Sequence, residues 1–248
     1  MHALSRVARR VWAAAQYLES PRLVRLRLRG VPRSLVVALD RGFLRERPVR
    51  TVLDVGANSG QFALCAQALF PDARIHSFEP LPDVYQALSR AVAPFPAIRA
   101  WNLALGEQAG SLRFERNDYT PSSSALPMTA AHRAEFPFTA RSTPVEVTVE
   151  RLDDVAPRLD LADELFVKID VQGYEDRVLR GGAATLRRAR VVLVETSFTV
   201  LYEGQARHDD VHRTLVDWGF AYRGALDQLV SPRTGEVLSA DSLFVRET

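Results

Sequence analysis

The sequence predicts an α/β domain with a doubly wound parallel sheet, and three observations carry that prediction. Residues 51 to 80 read as strand, glycine-containing turn, helix and second strand. The alternation continues without interruption through a helix at 82–93 and a strand at 98–105, and strand, helix, strand recurs at 165–195. Uninterrupted alternation of this kind builds a parallel sheet covered on both faces, with ligands bound at the carboxyl ends of its strands.

Taken in order, Val52, Leu53 and Val55 make a short buried strand, and Gln61 to Phe70 follow as a helix. Arg74 to Phe78 is the second strand. In the helix from Pro82 to Ala93, Val84, Leu88 and Val92 share one face, and Pro94 and Pro96 end it. Ile98 to Leu105 is the third strand, closing at Gly106. From Glu107 to Glu164 the alternation breaks for longer than a crossover helix requires. Ser111–Glu115 and Val145–Val149 alternate as strands around a loop carrying Tyr119, Ser122 to Ser124, His132, Phe136 and Phe138. We expect this β-rich insertion to be a lid or acceptor clamp, with a surface excursion as the alternative. Leu165–Ile169, apolar except for Lys168, delivers Asp170 to the crevice. Tyr174–Leu179 and Ala183–Arg190 are helical, Val191–Val194 is a strand ending at Glu195, and Asp209–Trp218 is the last helix. Phe220–Val245 reads as an antiparallel hairpin turning near Ser231 to Gly235.

The turn Gly56-Ala57-Asn58-Ser59-Gly60 says which ligand the crevice suits. Glycine lets backbone amides approach a ligand, and Glu79 at the end of the second strand can accept hydrogen bonds from both ribose hydroxyls. A dinucleotide fingerprint needs a glycine where Asn58 stands, and Asp54 aims negative charge toward a pocket that would repel a diphosphate. S-adenosylmethionine, with a cationic amino group and sulfonium, fits better than a nicotinamide cofactor. A nicotinamide-dependent oxidoreductase and an ordinary structural βα turn are the competing readings.

Composition bounds the rest. The 248 residues are 47% hydrophobic and 25% charged, as in a soluble globular protein, and no apolar run approaches a membrane span. The single cysteine, Cys65, lies in the first predicted helix, where packing is expected, and fits a reducing, cytoplasmic setting. Residues 1–50 carry twelve arginines against Glu19, Asp40 and Glu46, so this basic, mainly helical extension is separated from the domain expected at 51–248. Leu4, Val7, Val11, Ala14 or Ala15, and Leu18 form a stripe beside Arg6, Arg9 and Arg10. That stripe suits packing on the domain or on a second subunit of a homodimer, and peripheral contact with the inner membrane surface, with Trp12 at the interface, is the alternative. Nucleic acid is a poor fit, because aromatic platforms beyond Trp12 and Tyr17 are missing there. Lys168 is the single lysine beside thirty-one arginines, which reads either as a position suited to a compact point charge or a shiftable pKa, or as chance survival in an arginine-biased composition.

Four stretches in order resemble the FkbM-type family of S-adenosylmethionine-dependent methyltransferases. They are Asp54 to Gly60, Phe78-Glu79-Pro80, Asn102 to Gly106, and Lys168 to Glu175 followed by Val178-Leu179. The resemblance covers roughly residues 51 to 195, omitting the first fifty residues and most of the insertion. It implies a Rossmann-like, seven-stranded class I sheet and methyl transfer to oxygen, on a sugar hydroxyl of a glycolipid, polysaccharide or glycosylated metabolite, or on a secondary-metabolite scaffold such as a polyketide. Carried over by position, Asp54, Gly56, Ala57, Asn58, Gly60 and Glu79 contact the cofactor and Asn102 lines its adenine end. Asp170 is the leading candidate for the base that takes the acceptor proton, with Lys168 steadying it from the same side of the strand. Asp170 and Glu195 end strands expected to be neighbours, an arrangement that suits a shared divalent cation, although no third ligand is evident and a helix cap or a backbone hydrogen bond are the competing roles. His132 and His208 are alternative bases.

Overall fold

The computed structural model describes residues 26–40, 44 and 46–246. The amphipathic stripe from Leu4 to Leu18 lies outside them. A seven-stranded sheet forms the centre, built from β1 (Thr51–Val55), β2 (Arg74–Phe78), β3 (Ile98–Trp101), β7 (Leu165–Ile169), β8 (Val191–Ser197), β9 (Phe220–Val230) and β10 (Val237–Arg246) in the order β3-β2-β1-β7-β8-β10-β9. The first five run parallel, and the β9–β10 hairpin adds its strands antiparallel at one edge, turning where expected between Val230 and Val237. The sheet order reverses at β1 and β7, so their carboxyl ends open the crevice.

Strict alternation sorts each central strand between two buried clusters. Val52, Phe166, Val191, Leu193, Leu243 and Val245 face one side, packed against α2 (Gln61–Leu69) and α3 (Pro82–Val92). Leu53, Val55, Val167, Ile169, Val192 and Phe244 face the other, covered by α5 (Leu152–Val155), α6 (Glu175–Gly181), α7 (Ala183–Leu186) and α8 (His208–Asp217). Cys65 is fully buried in the first of these clusters. Also buried there are Leu26, Val31, Leu44, Val49 and, from α1 (Arg33–Leu39), Val36 and Leu39, so these residues share the core of the domain.

Two sequence expectations change. The strand expected from Ile98 to Leu105 divides after Trp101, because β2 ends at Phe78 and offers no register partner beyond the Phe78–Trp101 pair. Its remainder, β4 (Ala104–Leu105), pairs instead with β6 (Ser142–Glu150), which also pairs with β5 (Gly110–Asn117) in a second, three-stranded sheet. The insertion is thus a small sheet anchored on the main domain, carrying a short helix, α4 (Ala130–Glu135), capped by the Thr129 hydroxyl. The helical run expected to reach Arg190 stops at Leu186.

Candidate active site

A cavity of about 300 Å³ opens at the carboxyl ends of the parallel strands. Its wall begins at the turn after β1. Gly56 has φ +78°, and a β-carbon there would lie 1.9 Å from the Asp170 carbonyl oxygen, so glycine is required where the turn passes the end of β7. Asn58 also takes a left-handed φ of 46°, and its backbone N–H donates to Glu79 Oε2 at 2.9 Å. Glu79 Oε1 accepts from the Leu81 N–H at 3.0 Å. Burial pushes the Glu79 carboxyl up to about 7 against these hydrogen bonds. On this side the lining is apolar, with Phe78, Leu81, Leu103 and Phe114.

On the β7 side the lining becomes acidic. Asp54 and Lys168 are register neighbours across β1 and β7, on the face that also holds Val52 and Phe166. Lys168 Nζ donates to the Gly56 carbonyl at 2.7 Å and lies 3.6 Å from Asp54 Oδ1 and 3.4 Å from Asp170 Oδ2. Burial pulls the Lys168 ammonium down, but Asp170, Asp54 and Asp241 outweigh it and leave the pKa above the ordinary lysine value. Burial raises Asp54, whose other oxygen accepts from the Ser77 hydroxyl. Asp54 does not line the cavity; it lies beneath it, its charge answered by Lys168.

Gln172, at a left-handed φ of 54°, donates its side-chain amide to Asp170 Oδ1 at 2.8 Å and to Glu195 Oε2 at 2.9 Å, while its Oε1 accepts from the Tyr202 hydroxyl. The carboxylates suspected of sharing a cation are therefore joined by an N–H donor. Among the described residues no group of three or more His, Cys, Asp or Glu is placed to hold a metal ion. Glu195 Oε1 accepts from the Ser239 hydroxyl, and burial with the Asp170, Glu175 and Asp241 charges holds its pKa well above the usual carboxylate range.

Of the residues singled out by sequence, Gly56, Ala57, Asn58, Glu79, Lys168 and Asp170 line the cavity. Gly60 does not; it starts α2, and a β-carbon there would press on Leu88 at 2.9 Å, so its place is helix packing. Asn102 is exposed, outside the lining, and donates its amide to the Glu79 and Pro80 carbonyls, holding the loop beside the cavity rather than facing into it. His132 is buried among Phe136 and Tyr202, and His208 bonds Thr196; neither lines the cavity. The insertion reaches the site through Thr120, Pro121, Ser123 and Ala125, and Thr120 Oγ1 accepts from the Asn58 amide at 3.4 Å. Sequence reasoning missed Asp241 and Leu35, both in the lining, and Gln172 as a bridging group. The available signal for Asp241 was a lone carboxylate inside the strand Val237–Arg246.

The model of the FkbM methyltransferase domain matches residues 54–222. The chain belongs to the FkbM methyltransferase family. It is 29% identical over 168 residues to 2-O-methyltransferase NoeI of Sinorhizobium fredii, covering 65% of this chain and 69% of that protein. It is 34% identical over 169 residues to 31-O-demethyl-FK506 methyltransferase FkbM of Streptomyces tacrolimicus, covering 57% and 64%. The chain thus spans about two thirds of the length of these relatives. A candidate methyltransferase from Thermobifida fusca shares the fold, with TM-score 0.50 and 16% identity over 96% of this chain and 88% of that one. This FkbM-family chain is an S-adenosylmethionine-dependent methyltransferase with the class I seven-stranded sheet.

Proposed function

We propose that the protein methylates a hydroxyl oxygen of a sugar-bearing or polyketide-type small molecule. The observation that carries this reading is the polarity of the cavity. Apolar Phe78, Leu81 and Leu103 suit adenine, Glu79 suits the ribose hydroxyls, and Asp170 suits the end where a cationic methionine moiety fits. Gly56 to Asn58 form the close backbone approach, with Asp54 and Lys168 setting the charge beneath it. The bound cofactor supplies an electrophilic methyl group on a sulfonium. The chain's own task is to orient an acceptor oxygen, exclude water and receive a proton. The relatives' names specify 2-O-methylation and a 31-O-demethyl substrate, which supports oxygen as the acceptor atom. The insertion, through Thr120 and Ser123, is the part of the wall that selects the acceptor.

We extend the proposal to a cytoplasmic enzyme touching anionic membrane through residues 1–20; no described helix is long and apolar enough to cross a membrane. Flotation with anionic vesicles, comparing the full chain with one lacking residues 1–20, tests that contact, and absence of flotation of the full chain removes it.

S-adenosylhomocysteine is expected to raise the melting temperature in a dose-dependent manner and NAD is expected not to, because only a ligand of the folded state stabilises it. Stabilisation by NAD alone would overturn the cofactor assignment. The affinity carries a pH signature. A ribose donates to ionised Glu79, whose pKa is raised to about 7, so calorimetry should show S-adenosylhomocysteine binding weakening as pH falls through that value. Affinity independent of pH between 5.5 and 8.5 would remove Glu79 as the ribose acceptor. Methyl transfer from tritiated S-adenosylmethionine to a panel of glycosides and macrolide alcohols tests the acceptor class.

A further inference from the structure

Four carboxylates gather at the β7 to β10 side of the crevice, and their hydrogen bonds separate them. Asp54 lies beneath the cavity, bonded to Ser77 and facing Lys168. Asp170 has one oxygen on Gln172 and the other 3.4 Å from Lys168 Nζ. Glu195 has one oxygen on Gln172 and the other on Ser239. The fourth, Asp241, lines the cavity from β10, in register opposite Glu195, and among the described residues its carboxylate has no hydrogen-bond or ion-pair partner. A group that accepts a proton in the reaction does so best with an oxygen that no protein donor holds; both oxygens of Asp170 and of Glu195 already have a protein partner, whereas among the described residues those of Asp241 have none. The cavity lining also includes Leu193, Pro32 and Leu35, apolar surface that suits an uncharged alcohol carbon skeleton.

We infer that Asp241, rather than Asp170, is the general base that takes the proton of the acceptor hydroxyl, while Asp170, held by Lys168 and Gln172, positions the cationic end of the cofactor. The inference rests on the methyl-transfer reading above. In the step it serves, the acceptor oxygen forms its bond to the methyl carbon, the carbon–sulfur pair stays on sulfur as a neutral thioether, and the hydroxyl proton moves to an Asp241 oxygen and then to solvent.

The electrostatic surroundings agree with the geometry. Burial raises the Asp241 carboxyl to about 7, with Asp170 and Asp227 pushing the same way and Lys168 opposing. Glu195 on β8 is the other titratable neighbour, in register opposite Asp241, while Pro32 and Leu35 add uncharged surface to the cavity lining. A base with its pKa near working pH balances being deprotonated against proton affinity. Asp241 lies outside the residues matched by the family model, so the match does not assign it a role.

The test starts from the first hydroxyl acceptor that the wild type methylates with tritiated S-adenosylmethionine. Asp241→Asn should lower kcat by about 10²- to 10⁴-fold, the contribution typical of a positioned base. Its affinity for S-adenosylhomocysteine should remain within about threefold, which also shows that the variant is folded, since only the folded state binds. At saturating S-adenosylmethionine, where the Glu79-dependent binding does not limit the rate, the wild-type kcat should rise with pH through about 7, and that limb should vanish in Asp241→Asn. Independently of turnover, carbon-13 spectra of aspartate-labelled protein should lose a carboxyl titrating near 7 in the variant. A kcat within threefold of wild type, or a pH limb that persists, would overturn the assignment while leaving methyl transfer intact. Failure of the wild type with every hydroxyl acceptor would instead overturn the methyl-transfer reading and this inference with it.

Discussion

Gly56→Ala is expected to weaken S-adenosylhomocysteine binding more than about 100-fold, the effect of losing close backbone approach and displacing the cavity wall together. The new methyl would sit 1.9 Å from the Asp170 carbonyl oxygen and 2.9 Å from its carbon, and neither atom is free to withdraw. The Asp170 N–H donates to the Val55 carbonyl, the Gly56 N–H donates to Phe78, and Lys168 Nζ donates to the Gly56 carbonyl, so the turn is tied to β1, β2 and β7 at once. Relief of the clash must separate the ends of β1 and β7, which moves Asp170 and Lys168 as well. A left-handed non-glycine residue alone costs about 1–3 kcal/mol. At roughly 2–4 °C per kcal/mol for a chain of this size, that conformational cost alone lowers the melting temperature by about 2–12 °C, with the clash adding to it. Calorimetric titration and thermal unfolding measure both effects, and binding within threefold of wild type would refute the close-approach argument.

The same turn shows what sequence can disclose. Local signals sufficed for it: a buried strand, Gly56 at the turn, a helix and an acidic strand end lie within thirty residues and pack as read, while Gly60 serves helix packing instead. Alternation alone also placed Lys168 and Asp170 on one side of their strand, and their 3.4 Å approach follows from it. Register between distant strands was not legible in the same way. Asp54 was expected to meet the ligand, but pairing of β1 with β7 sets Lys168 beside it and the cavity above it. Asp241 reaches the site because β10 returns antiparallel beside β8, a contact no local pattern encodes. The division after Trp101 likewise depends on β6, which lies some forty residues further along. Asn102 could be read as near the cofactor, yet the direction of its amide is set by the Glu79 and Pro80 carbonyls, which sequence does not orient.

Lys168 is where the central charge balance is most exposed to test. Lys168→Met keeps most of the volume and removes the ammonium, leaving Asp54, fully buried, with only the Ser77 hydroxyl to offset its charge. Breaking a buried pair from one side costs about 3–5 kcal/mol, and at roughly 2–4 °C per kcal/mol the melting temperature should fall by about 6–20 °C. The loss should depend on pH in a defined direction. Burial already raises the Asp54 pKa above 3.8, and removing the cation raises it further. A carboxyl raised in the folded state binds more protons there than in the unfolded chain, so its stabilisation is fully present below the unfolded pKa and is lost as pH rises through the folded one. The deficit of Lys168→Met should therefore be larger at pH 8 than at pH 5 in thermal unfolding. A constant deficit would mean that lost packing, not charge, explains it. Lys168→Arg separates charge from shape: a planar fork cannot reproduce one compact ammonium that meets the Gly56 carbonyl at 2.7 Å with carboxylates at 3.4 and 3.6 Å, 6.0 Å from the Phe62 ring. This variant should keep more stability than Lys168→Met yet bind S-adenosylhomocysteine more weakly than wild type, whereas unchanged binding and turnover would make the lone lysine an accident of composition.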